Sequence, residues 1–322
     1  MTVQGPLRLA LPASPGAARC RLGAGLALFA LVLAGCGGAA PAPFDEAVWR
    51  AGEEQYRADV EERLTADRSW LTVAGLHFLT VGEHVVGSGE EADLRLPERF
   101  PDEAVTVRWT SDRTAYAWVA EGVEATVGGE PFREGELELG EDGAVHLDDR
   151  IWFWLHYSGE RRALRLRDLD FPLRRDFTGR EWFPLDPTFR VEAAFERYPE
   201  ERHIEAINIR GDIEPYVSHG EAVFDWEGEA IRMQAFTRSN GNLFFVLTDG
   251  TSGVETYPSA RFLTSSPAEN GRVVVDFNRA VNPPCGFSAF TTCPTPPPQN
   301  RLPFRVEAGE RRYHHSPAPT GD

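Results

Sequence analysis

Asp249, Thr251, Arg261, Asp276, Asn278, Arg279, Asn300 and Arg301 are the densest run of chemically capable side chains in the 322-residue sequence. Asp249 and Asp276 are the catalytic candidates, because a carboxylate beside a loop can serve as a general base. Thr251, Arg261, Asn278, Arg279, Asn300 and Arg301 are the binding candidates. Their arginines suit a small anionic ligand, since a guanidinium grips carboxylate or phosphate through two parallel hydrogen bonds. The same residues also fit a structural role. Asn and Asp cap turns and satisfy buried loop backbone whether or not a ligand exists.

Residues 276–301 set these groups apart from everything before them. The segment holds six prolines, three asparagines and two cysteines. Its prolines fix φ, and Phe277, Phe287 and Phe290 speak for order, so it reads as a proline-stiffened loop over a sheet. Cys285 and Cys293 lie eight positions apart, and in an exported protein such a pair suggests a disulfide worth about 2–3 kcal/mol. Zinc is the weaker reading, because two thiolates supply half a tetrahedral site and no His lies within twenty residues. A free or catalytic thiol is the third. No metal site and no cofactor are assigned.

What the sequence lacks narrows the chemistry further. All 33 basic residues are arginine, against 50 acidic ones, for a formal net charge of −17. Without lysine there is no Walker-type phosphate loop, Schiff-base enzyme or Ser–Lys hydrolase. The acidity argues against a nucleic-acid partner, which clustered positive charge would bind. Gly-x-Ser-x-Gly and His-Glu-x-x-His are both absent. His156 sits on an apolar run and reads as a packed core residue, with no orienting partner in view.

The elements that must position these residues are mostly strands. Residues 45–68 read as a helix with Trp49, Tyr56, Val60 and Leu64 near one face. After it the hydrophobic period drops to two. Short runs at 70–76, 104–109, 115–119, 125–127, 136–139, 144–147, 151–157 and 163–166 predict an N-terminal β-sandwich over residues 69–170. Runs at 189–195, 205–209, 222–226, 230–236, 243–247, 255–257, 261–263, 273–277 and 304–307 predict a second antiparallel β unit over 171–312. Residues 313–322 read as a tail. The fold class is thus mostly β with one short N-terminal helix and a long Pro/Cys-containing loop.

The first residues give an address. A basic segment, an apolar run at 22–34 and small residues after it describe an export signal too short to span a membrane. Leu33-Ala34-Gly35-Cys36 resembles a bacterial lipobox. Residues 1–35 are then a lipoprotein signal peptide, Cys36 is acylated and inserts in the lipid bilayer, and 36–44 is a tether. With no Asp at position 37, the resemblance favours the periplasmic face of the outer membrane if the source is diderm.

Phe245-Val-Leu-Thr-Asp-Gly-Thr-Ser-Gly-Val-Glu-Thr-Tyr257, Arg261-Phe-Leu, Asp276-Phe-Asn-Arg-Ala280, Asn282-Pro-Pro-Cys285, Thr292-Cys-Pro294, Asn300-Arg-Leu302 and Ala308-Gly-Glu310 resemble the domain of unknown function 1684 family. Trp70-Leu-x-Val-x-Gly-Leu-x-x-Leu79 and Leu164-Arg-Leu-Arg-Asp168 are similar to its N-terminal half. That resemblance implies no reaction. His77 stands where the family pattern has an aromatic and is not read as a ligand. The N-terminal sandwich also weakly resembles a forkhead-associated fold through residues 82–89 and 93–96. It lacks that domain's Gly-Arg and Ser-x-x-His pieces, so phosphopeptide binding is not carried over. The expected function is a small-ligand-binding or accessory module of the cell envelope. The alternative is a hydrolase acting on an envelope or extracellular small molecule.

Overall fold

The computed structural model describes residues 44–314; the signal segment, Cys36 and most of the tether and tail lie outside them. From Phe44 onward the chain clusters as one compact unit. It opens on helix α1 (Glu46–Thr65), started by Asp45, whose carboxylate accepts from Ala47 N and Val48 N at 3.0 and 3.2 Å. Such a cap satisfies backbone donors that a helix leaves unpaired. Trp49, Glu53, Val60 and Leu64 form the buried face. Among the described residues no helix is long and apolar enough to cross a membrane.

The strands follow as β1 (Val73–Phe78), β2 (Gly82–Gly87), β3 (Leu94–Arg95), β4 (Val105–Trp109), β5 (Ala115–Val119), β6 (Thr126–Val127), β7 (Glu130–Pro131), β8 (Glu134–Glu136), β9 (Val145–His146), β10 (Ile151–Ser158) and β11 (Arg161–Asp168). A short helix, α2 (Pro172–Arg175), separates them from β12 (Arg190–Ile207), β13 (Ile213–Trp226), β14 (Glu229–Thr237), β15 (Leu243–Leu247), β16 (Arg261–Ser265) and β17 (Arg272–Asp276). The first eleven strands make two sheets, ordered β1-β11-β10-β9-β6-β7 and β3-β2-β4-β5-β8. Their inner faces bury Val86, Val107, Ala117, Phe153, Leu164 and Leu166 in one core. The remaining six form a single sheet, β16-β15-β14-β13-β12-β17.

Pairing is antiparallel apart from the short β2–β3 ladder and a few isolated bridges. The mostly β fold stands, with the expected helix and a Pro/Cys-containing loop over the last sheet. That loop holds short 3-10 turns at Phe277–Arg279, Pro284–Gly286 and Pro298–Asn300.

Three expectations change. Runs 189–195 and 205–209 are parts of one strand, β12, which crosses the charged stretch between them with a register shift between Arg197 and Arg202. Residues 255–257 are a turn, because Glu255 N and Thr256 N both donate to Thr251 O. Residues 304–307 pair with no strand; their backbone is instead spent on Gly250, Asp249 and Arg261.

Strand alternation decides what each sheet shows to the other. On β10 and β11, Phe153, Leu155, Leu164 and Leu166 turn into the sandwich core. Trp152, Trp154, His156, Arg165 and Arg167 therefore occupy the opposite face. On β14 and β15, Ala235, Phe245 and Leu247 enter one core, while Phe236, Phe244 and Val246 enter another on the reverse side. Ser158 and Arg161 bond Asp212 across the two halves, and Ser288 Oγ donates to Val73 O at 3.1 Å.

Candidate functional site

Most of the residues singled out in sequence are dispersed into separate buried networks. Asp249 and Arg261 form an ion pair at 2.7 Å with both side chains fully buried. Thr251 N and Oγ1 donate to the second Asp249 oxygen at 2.8 and 2.7 Å, and Val306 N adds a third bond at 3.1 Å. Arg261 also donates to Val306 O and Ala308 O. The carboxylate is saturated by the chain's own donors and is poorly placed to act as a base.

Asp276 belongs to a second network, under α1. Trp49 Nε1 donates to it at 2.8 Å, and Asn278 N and Nδ2 donate at 3.0 and 2.9 Å. Arg279 is held by Glu53, and its own carbonyl accepts from Tyr56 OH at 3.0 Å. Asn300 bridges β14 and β15: its Oδ1 accepts from Gln234 N, and its Nδ2 donates to Gln234 O and Val246 O. Arg301 is exposed.

Cys285 and Cys293 are free thiols, both buried, which corrects the expected disulfide. Cys285 N donates to Cys293 Sγ at 3.2 Å, so the sulfur serves the turn as an acceptor. Asn282, Ser288 and Arg210 tie the same loop down through backbone carbonyls, so it is anchored without a covalent crosslink. Burial and the neighbouring Cys293 push the Cys285 thiol strongly upward. A raised thiol is a poor nucleophile.

None of the other candidates lines the cavity that does stand out. It measures about 560 Å³ and lies between the outer faces of the β11 and β14–β15 sheets, under residues 284–294. Tyr216, Phe236, Phe244 and Phe262 make its aromatic wall, with Tyr216 stacked on Phe236 at 4.5 Å and Phe244 edge-on to Phe262 at 4.9 Å. Trp70, Thr292 and Cys293 complete it from the other side. The volume is typical of sites that enclose a small molecule.

Arg165 reaches this cavity from β11. It is only 5% exposed, its guanidinium lies 6.0 Å from the Trp70 ring centre, and among the described residues its Nε and Nη2 have no hydrogen-bond partner. Arg167, two residues on and on the same face, shows what such a group normally needs. Its guanidinium is clamped by both oxygens of Glu141 at 2.9 and 3.1 Å, with Trp152 and Trp154 beside it. Arg165 has no equivalent carboxylate, and burial pushes its pKa down to about 10. Arg238 lies 4.4 Å over Phe244 on the same wall, its pKa also lowered by burial. His156, whose Nε2 lies 3.4 Å from Thr292 Oγ1, is driven down to about 3, first by burial and then by Arg165 and Arg162. The neutral imidazole adds no charge, so the polar field of the cavity is set by arginine.

In the sequence Arg165 stands out only as part of the Leu164-Arg-Leu-Arg-Asp168 segment, which assigns it no role. It alternates with leucines on a core strand, where charged residues ordinarily face solvent, and only the second half of the chain covers that face.

The molecule is a mostly β protein whose two halves flank an open, aromatic, arginine-bearing pocket. Residues 175–311 match the model of a family described as protein of unknown function (DUF1684). An uncharacterized protein of Haloarcula marismortui, solved in solution by NMR, is 31% identical, with 43% of this chain and 78% of that one covered and a TM-score of 0.37. The FhaA FHA domain, solved in complex with an intracellular domain, is 19% identical over 29% of this chain and 97% of its own, with a TM-score of 0.21. No curated protein matches the chain in sequence.

Proposed function

We propose that this protein is a cell-envelope lipoprotein whose domain binds a small anionic ligand with a flat apolar body in the Arg165 cavity. Arg165 carries the reading. A buried guanidinium without acceptors is costly, and an incoming carboxylate or phosphate would supply them through charge-assisted bonds. The aromatic wall suits the ligand's apolar part, and Arg238 is a second cation on that wall. Binding is favoured over hydrolysis because the charges acting on His156 are arginines, with no carboxylate to orient its imidazole toward the Thr292 hydroxyl, and Asp249 and Asp276 are consumed by structural bonds.

Calorimetric titration with 2-naphthoate, phenyl phosphate and neutral 2-naphthalenemethanol tests this. The two anions should bind and the alcohol should not. Arg165→Met should weaken the anions by about 10- to 100-fold, the worth of about 1.5–3 kcal/mol for a bond to a charged group. Equal binding of the alcohol, or an unaffected Arg165→Met variant, would sink the assignment.

The membrane address rests on the basic segment, the apolar run and the Leu33-Ala34-Gly35-Cys36 motif. Cys36→Ala should move the protein from the membrane pellet to the soluble fraction when expressed in a diderm bacterium. Retention in the pellet would refute acylation at Cys36.

A further inference from the structure

A second cluster lies within the sandwich and shares no residue with the cavity lining. His77 on β1 and His84 on β2 flank the turn that joins the two sheets, and Asp93 leads into β3. His77 Nε2 and His84 Nδ1 are 2.9 Å apart. Asp93 Oδ1 lies 3.6 Å from His77 Nε2, and its Oδ2 lies 3.9 Å from His84 Nδ1. Donor bonds of about 2.0–2.2 Å in a tetrahedral shell put neighbouring ligand atoms about 3.3–3.6 Å apart. The three observed separations bracket that value.

The orientation of each group is already fixed from behind. His84 Nε2 lies 2.7 Å from Thr80 O, and only a protonated nitrogen can bond a carbonyl. The lone pair of His84 is therefore on Nδ1, facing His77 and Asp93. Asp93 Oδ2 accepts from Val85 N at 2.8 Å, which holds the carboxylate toward the imidazoles. Backbone partners of this kind set the tautomer and direction of metal-ligating side chains.

Hydrogen bonding within the cluster does not account for the third member. A bond between the two imidazoles leaves both Asp93 contacts beyond hydrogen-bond length. Among the described residues the ion-pair contacts of Asp93 are these two histidines. Two imidazoles and one carboxylate form a donor set for a divalent transition metal and a poor one for Mg²⁺, which prefers oxygen. His84 is buried, whereas the His77 and Asp93 side chains keep 25% and 35% exposure, so one side of the cluster is open to water.

We infer that His77, His84 and Asp93 bind one divalent ion of the zinc class, with a coordination position left open on the solvent side. The test titrates the full chain with Zn²⁺, and separately with Mg²⁺, by calorimetry, with bound metal counted by mass spectrometry. One equivalent of zinc should bind saturably, raise the thermal midpoint, and be unaffected by Mg²⁺. His77→Ala and His84→Ala should each weaken it by about a hundredfold or more, since even outer-shell changes cost about 10- to 100-fold. Asp93→Asn keeps an acceptor for Val85 N–H and so preserves the fold, checked by circular dichroism; it should also lose the zinc. Co²⁺ bound in place of zinc should give visible bands that disappear in all three variants. Absence of saturable zinc binding, or an equivalent that survives in the folded Asp93→Asn and His77→Ala proteins, would overturn the site.

Discussion

Glu310 shows how a single carboxyl can be held against its own charge. It is 1% exposed, ion-paired with Arg180, and accepts from Asn282 N at 2.8 Å. Burial nevertheless outweighs Arg180 and Asn282 and lifts its pKa from 4.5 to about 7. The folded state thus holds this proton more tightly than the unfolded chain. The stabilisation is complete below about pH 4.5 and is lost as pH rises through about 7. His156 works in the opposite sense: its pKa is depressed, so its contribution is lost as pH falls from 6.5 toward about 3. Glu310→Gln cannot ionise, and it isolates the first effect. Thermal midpoints compared from pH 4.5 to 8 should move in the variant's favour as pH rises through 7. A difference independent of pH would refute the assignment.

At the level of elements, the family's signature segments emerge as fastenings. Asp249-Gly-Thr251, Arg261 and Ala308-Gly-Glu310 meet in one network, in which Arg261 bonds Ala308 O while Glu310 receives Asn282 N. Gly309 sits at φ +82°, and a Cβ there would come within 2.5 Å of Ala280 O, so no other residue fits. Asn300 repairs the point where β14 and β15 part, because their ladder covers only Phe236–Phe244 and Thr237–Leu243. Removing its carboxamide leaves Gln234 N, Gln234 O and Val246 O short of a buried partner. Asn300→Ala should therefore cost about 2–4 kcal/mol, at about 1–3 kcal/mol for each unsatisfied group after partial relaxation. Urea unfolding measures it, and a loss below about 1 kcal/mol would mean that the strands close over the gap.

Much of this scale is readable in the amino-acid order. Trp49, Tyr56, Val60 and Leu64 mark α1, and the alternation places β10 to within one residue and the middle of β11, which runs two residues further at each end. β12 is not readable, since Glu196, Arg197, Pro199 and Glu200 break the apolar period while the backbone runs on in exposed extended form. The Arg165 cavity is invisible because period two gives the face of a strand but not what covers it. His77, His84 and Asp93 share no motif spacing; pairing of β2 with β3 and the turn after β1 bring them together.

Across the whole molecule the dominant quantity is the charge of −17, carried by carboxylates and arginines without lysine. Many surface arginines are tied to acidic neighbours, among them Arg99–Asp148, Arg150–Asp170 and Arg232–Glu221. Pairs at the surface contribute little each, about 0–1 kcal/mol. The unmatched acidic excess acts over longer range and opposes compaction. Raising salt from 0.01 to 0.15 M shortens the screening length from about 30 to about 8 Å and should raise the thermal midpoint. A lower midpoint at 0.15 M would mean that the surface pairs outweigh the net repulsion.

Helix α1 adds a constraint of another kind, one of timing. Its anchors, Trp49 to Asp276 and Glu53 to Arg279, join residues 227 and 226 positions apart. At about 5–20 residues per second, a ribosome delivers the receiving turn about 10–45 s after the helix has emerged. For that interval Trp49 and Glu53 lack their partners, while Leu64 can already meet Leu71, Leu173 and Phe177. The N-terminal half of α1 is thus among the last pieces to settle, and a chain stalled before Asp276 would present Trp49 unmet to whatever escorts it.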